Sequence, residues 1–88
     1  MAAPASGTSA ELSDLLVFLA QALVTEPAQV SVETFDEDDG TLVLELSVAE
    51  DDYGKVIGRG GRTAGALRTV VKAAGARVDR RVLVDIVD

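Results

Sequence analysis

An α+β fold, with helices on one face of a three-stranded sheet, is what this sequence predicts. Three observations carry it. Leucines recur at helical spacing from Leu12 to Leu23. Two runs alternate in polarity on either side of Asp39-Gly40. A third alternating run, Arg81 to Val87, is set apart from those two by apolar and basic segments around a glycine loop. A chain of 88 residues holds one small core, so covering one sheet face with the helices is the simplest arrangement.

Residues 1–7 are small and uncharged and are expected to form a mobile tail ahead of a single domain over 8–88. Thr8 with Glu11 is a capping-box pattern, which places a helix start there. Leu12, Leu15, Leu16, Leu19 and Leu23 then make one apolar stripe, with Glu11, Asp14 and Gln21 on the wet side. Val17, Phe18 and Val24 fall outside that stripe, so the helix has more apolar surface than one core face needs. Either a loop covers the excess or a partner does. Pro27 ends the element.

Gln29 to Phe35 and Thr41 to Val48 read as strands, the second with Leu42, Leu44, Leu46 and Val48 on one face. The acidic run between them, Asp36 to Asp39, ends in an Asp-Gly turn signal. As a calcium loop it fails: counted from Asp36, glycine arrives at the fifth position and Ser47 stands at the twelfth. Glu50-Asp51-Asp52 suit the positive end of a short helix over Tyr53 to Ile57, which Gly58 stops. A second helix is expected from Arg62 to Ala74, with Leu67, Val70, Val71 and Ala74 inward, a weak first turn at Gly65, and Gly75 as its stop. No internal repeat is visible.

Composition narrows the function. Cysteine and histidine are both absent, which removes disulfides, thiolate and imidazole metal sites, and histidine-assisted nucleophiles. No nucleophile–base pair or convergent carboxylates stand out, so the chain reads as a non-enzyme without cofactor, metal or small-molecule substrate. No basic segment precedes the apolar run Leu15 to Ala20, and that run is too short to span a bilayer. A soluble, cytoplasmic protein with no membrane partner is the expectation.

The net charge of −7 disfavours nucleic acid, but its distribution does not. Residues 1–53 carry 12 acidic and no basic side chains, whereas residues 54–88 carry 8 basic and 3 acidic ones. Either the protein is polarised, or its halves neutralise each other across the fold. The basic side chains begin where the glycines do. Gly58-Arg59-Gly60-Gly61 is not a Walker loop, since no glycine precedes Lys-Ser/Thr. Nor is it a convincing dinucleotide fingerprint, since Gly58-x-Gly60 leads to Thr63. A helix–Gly-x-x-Gly–helix clamp remains. Its backbone amides favour a phosphate, Arg59 and Arg62 add charge, and Lys55, Arg68 and Lys72 extend it. A bare helix–helix turn would need only one glycine.

Val56-Ile57-Gly58-Arg59-Gly60-Gly61 resembles the Val-Ile-Gly-x-x-Gly signature of KH domains, which clamp about four nucleotides of a single strand. With the downstream Gly61-Arg62-Thr63-Ala64 and Leu67-Arg68-Thr69-Val70-Val71, the chain is similar to the KhpA family of small bacterial KH-only proteins. That resemblance implies a type II KH fold (α-β-β-α-α-β) with a three-stranded mixed sheet. It implies single-stranded RNA as partner, held at Lys55, Val56, Ile57, Gly58, Arg59, Gly60, Gly61, Arg62, Leu67 and Arg68, with Val56, Ile57, Leu67 and Val84 lining a base groove. It further implies an RNA chaperone or post-transcriptional regulator that pairs with a KhpB-like KH protein or with itself, and a link to cell shape and cell wall biogenesis. The chain departs from the signature at Ala64, where a larger aliphatic is usual, and carries Gly60 and Gly65 where side chains could stiffen the clamp. A flexible clamp of modest affinity follows. Having only Phe18, Phe35 and Tyr53 as aromatics argues against an RRM.

Overall fold

A computed structural model describes residues 5–88, with side chains from Thr8 onward. The part of the expected tail from Met1 to Pro4 lies outside the described residues. Three helices cover one face of a three-stranded mixed sheet, as the α-β-β-α-α-β reading predicts.

Helix α1 spans Ala5–Gln21, so it starts ahead of Thr8. Thr8 and Glu11 therefore lie inside the helix and form no capping box at its start. Leu12, Leu16 and Ala20 are buried, with Leu15 and Leu19 packed beside them. The last turn tightens where Leu23 N–H donates to Ala20 O at 3.0 Å, and Pro27 opens a short 3-10 turn. Strand β1 (Ser31–Asp36) runs antiparallel to β2 (Leu42–Ser47), with Phe35 opposite Val43. Glu37 N–H donates to Thr41 O at 2.8 Å across the connecting turn, where Gly40 takes φ +90°.

Strand β2 is central. Its Leu42, Leu44 and Leu46 are wholly buried under the helices. On its other side it pairs in parallel with β3 (Val82–Val87), Leu44 opposite Val84. A parallel neighbour cannot be reached by a hairpin, so the chain must cross over between β2 and β3. That crossover contains helix α2 (Tyr53–Ile57), the glycine loop and helix α3 (Arg62–Arg77). The fold thus sets the loop at the hinge of its one crossover.

Two expectations for α3 need correcting. Gly75 does not stop the helix. It is buried within it, and a Cβ there would stand 2.5 Å from Val82 Cγ2 and 2.8 Å from Arg80 O. The glycine lets the helix lie against the start of β3. The chain turns later, at Asp79 with φ +59°, where Asp79 N–H donates to Ala76 O at 3.1 Å. Leu67 and Val71 are inward as expected, but Val70, expected with them, is 45% exposed because α3 centres its buried side on those two.

Candidate nucleic-acid interface

The glycine loop is built from backbone conformations that side chains resist. Gly58, Gly60 and Gly61 take φ of +76°, +63° and +79°. Gly58 is further constrained, because a Cβ there would stand 2.2 Å from Thr63 Oγ1 and 2.9 Å from Thr63 N. Gly60 and Gly61 face open space and are glycines for conformation alone. Gly58 N–H closes α2 on Gly54 O at 2.8 Å, and Gly61 N–H returns to Gly58 O at 3.1 Å. No side chain caps the start of α3, so its first free amides face outward from the loop.

Charge surrounds those amides. Lys55, Arg59 and Arg62 are exposed, and among the described residues no salt bridge reaches them. Arg80 and Arg81 behave differently. Arg80 pairs with Asp36, donates to Gly40 O at 2.9 Å and reaches Ser9 Oγ at 3.4 Å, while Arg81 stands 3.9 Å from Asp39. Both readings of the charge split therefore hold, in different places. The distal arginines neutralise the acidic turn, and the loop cations stay free. A cavity of about 700 Å³ lies at that distal end between residues including Asp39, Asp79 and Arg80. Its two arginines are taken up by Asp36 and Asp39, so the loop is the better phosphate site.

Not every expected site residue reaches the surface. Val56 is wholly buried and Leu67 is 5% exposed, so both brace the loop from the core. Leu67 also lines an apolar groove on the α1 side of α3, away from β3. Ile57 and Gly58 are half-buried at the surface. Arg68 bridges to the sheet, its Nε donating to Val84 O at 3.1 Å. Arg81 O accepts from Leu42 N–H at 2.9 Å and so faces β2. Carbonyls alternate along a strand, so those of Val82 and Val84 face the open edge of β3. Beside that edge, Lys72, Arg81, Val82 and Leu83 line a shallow groove of about 380 Å³. Arg62, Gly65, Arg68 and Lys72 share one side of α3 at helical spacing, so a basic track leads from the loop toward this edge.

Asp52 is a positioning residue that sequence reasoning missed. It was expected beside its neighbours as a dipole partner, but it is completely buried at the start of α2. Its Oδ1 accepts from Thr25 N–H at 3.0 Å and Thr25 Oγ1 at 2.8 Å, and its Oδ2 from Glu26 N–H at 3.0 Å. These bonds fasten the segment after α1 to the helix that carries the loop. No local pattern distinguishes it from Asp51, since its partners lie 26 and 27 residues away. Burial alone pushes this carboxyl up, but the Thr25 and Glu26 donors, with Lys55 nearby, outweigh it and hold the group below its ordinary value. A depressed folded pKa stabilises the protein above the unfolded value, and that contribution is lost as pH falls through the folded one. Asn at position 52 cannot accept on both sides. Asp52→Asn is therefore expected to lower the melting temperature by about 5–10 °C at neutral pH. It should also flatten the loss of stability below about pH 4, which circular-dichroism melts across pH 3–7 will measure.

Comparison with known proteins shows the family. A family model described as KhpA/KhpB, KH domain, matches residues 13–86. The RNA-binding protein KhpA of Halalkalibacterium halodurans is 51% identical over 78 residues, covering 88% of this chain and all of that one. The Bacillus subtilis protein of the same name is 43% identical over 81 residues, covering 92% and 99%. Among solved structures, Aquifex aeolicus Era bound to GDP and aluminium fluoride superposes with a TM-score of 0.58 at 20% identity, over 86% of this chain and 29% of that one. Era in complex with MgGDPNP and a segment of 16S ribosomal RNA gives 0.52 at 20% identity, over 85% and 28%. At that identity the likeness to Era speaks for the fold alone. The family match spans the crossover, its glycine loop and all three strands, and the chain belongs to the KhpA/KhpB KH-domain family.

Proposed function

We propose that this chain binds single-stranded RNA by seating the phosphodiester backbone on Gly58 to Gly61. Arg59 and Arg62 neutralise it, Lys55 supports them, and Arg68 and Lys72 guide the strand toward the open edge of β3. The observation that carries this reading is the loop itself. Three positive-φ glycines, one of them sterically obligatory, sit among cations that no salt bridge reaches among the described residues. Val56 and Leu67 support the loop from beneath, and Ile57 is left as the apolar contact for a base. The role is binding rather than catalysis, in the cytoplasm, as an RNA chaperone or post-transcriptional regulator. The family resemblance supports a KhpB-like KH partner and a link to cell envelope growth. Among the described residues, no helix is long and apolar enough to cross a membrane.

Anisotropy titration of a labelled single-stranded RNA tests the reading. Two or three neutralised phosphates correspond to a slope of log K against log salt of about −2. A slope near zero, or RNA retained equally by a variant without the loop cations, contradicts it.

A second reading concerns pairing, and a specific surface favours it. Phe18 is 68% exposed, and next to it Leu19, Leu23, Ala66, Leu67 and Val70 line an apolar groove of about 270 Å³ between α1 and α3. Two copies joined there, or one copy with a second KH protein, would gain avidity from two weak clamps. The same surface would serve an adaptor with little direct RNA binding. Sedimentation of a Val17→Asp, Phe18→Asp variant decides between pairing and none. A mass unchanged from that of the unmodified chain, with and without a KH partner, removes the pairing.

A further inference from the structure

The open face of the sheet is unclaimed by either reading. All three helices lie on the other side, over Leu42, Leu44, Leu46, Val82, Val84 and Ile86. Strand register sorts the open face into rows. Phe35, Val43 and Leu83 stand side by side across β1, β2 and β3. Two residues along the strands, Glu33, Glu45 and Asp85 form the next row. Phe35 is 45% and Leu83 48% exposed. An apolar row thus runs beside a carboxylate row.

Side by side on adjacent strands, like charges destabilise a sheet. Nothing inside the molecule relieves them: among the described residues the salt bridges engage Asp36 and Asp39, and none reaches Glu33, Glu45 or Asp85. Among the described residues the one cation on this face, Arg81, stands at its turn end and leans toward Asp39. No group of three acids is close enough to hold a metal ion among the described residues. The row is therefore open to cations carried by a partner. Nucleic acid, an anionic membrane or a second copy of this face would each bring more negative charge to it.

We propose that this face docks a basic amphipathic helix of a protein partner. Neighbouring strands are about 4.8 Å apart, so three strands span about two helical turns. The rows lie about 7 Å apart along the strands, which one helix about 10 Å in diameter covers with two adjacent stripes. Apolar side chains at i, i+3 and i+7 sit on Phe35, Val43 and Leu83, and lysines or arginines on the flank meet Glu33, Glu45 and Asp85. Charge complementarity selects the partner and speeds its approach. The proposal does not depend on the RNA reading, because the glycine loop belongs to the crossover on the helix side.

Nitrogen-15 spectra of the full chain, titrated with a synthetic amphipathic helix of about 18 residues carrying leucine on one face and lysine on its flanks, test it. Amide shifts are expected within 31–35, 43–47 and 83–87, and the same peptide with glutamate in place of lysine should not bind. Glu45→Lys with Asp85→Lys should weaken binding at least about tenfold, and so should Leu83→Ser, while the equal charge change Glu50→Lys with Asp51→Lys leaves it within about twofold. RNA retention by the Glu45→Lys, Asp85→Lys variant should be no weaker than that of the unmodified chain. Shifts spread equally over 36–39 and 50–51, equal weakening by the Glu50 and Asp51 changes, or no binding of the lysine peptide would each overturn the proposal.

Discussion

Replacing Arg59 and Gly60 together by aspartate is expected to weaken RNA retention by about 100-fold or more while leaving the fold intact. The change removes one cation and sets two carboxylates where phosphate would lie. Nothing stands within 4 Å of a Cβ at Gly60, so the new side chain meets no obstacle. Its φ of +63° and ψ of +20° fall in the left-handed region, which aspartate tolerates better than most residues, at about 1 kcal/mol. Filter retention of RNA, with far-ultraviolet melts beside it, measures both halves of the expectation. Undiminished retention with an intact fold would remove the clamp. Gly58 is unsuitable for the same experiment. Any side chain there collides with Thr63 at the first turn of α3, so lost binding could not be told from a lost loop.

The second large effect is on stability, and it reverses sign within one helix. Gly65→Ala should stabilise the protein by about 0.5–1 kcal/mol, because alanine is the better helix former and nothing lies within 4 Å of the added methyl. Gly75→Ala gains the same helical preference but drives its methyl against Arg80 O and Val82 Cγ2. Backbone cannot yield as a side-chain tip can, so α3 must lift from β3, and overpacking of this kind costs about 1–3 kcal/mol. Urea denaturation of the two single variants gives the test. Equal and positive effects would show that the close approach at Gly75 is not needed.

Those two glycines also show how far local reading reaches. Both stand in the same helical stretch, and one looked like an interior flaw and the other like a stop. Neither impression concerned contact, and contact separates them. Arg68 and Arg80 give a parallel case. Both are basic residues of the second half, yet Arg68 donates to a strand edge beside the loop and Arg80 is spent on Asp36, Gly40 and Ser9 at the far end.

Features with a short sequence period were legible without coordinates. The leucine stripe of α1 as far as Leu19 (Leu23, expected to continue it, lies beyond the helix and is 40% exposed), the alternation in β1, β2 and β3, the Asp-Gly turn and the Gly-x-x-Gly spacing each depend on residues a few positions apart, which is the range of backbone hydrogen bonding and steric preference. The glycine loop belongs to this class, and so do its neighbouring cations. Tertiary structure alone decided the rest. It drew Asp52 onto Thr25 and Glu26, turned Val70 out of the core, and aligned Glu33, Glu45 and Asp85 from three separated strands. The reason is that burial, ion pairing and strand register depend on which distant segments meet, and the parallel crossover between β2 and β3 makes those meetings long in sequence though short in space.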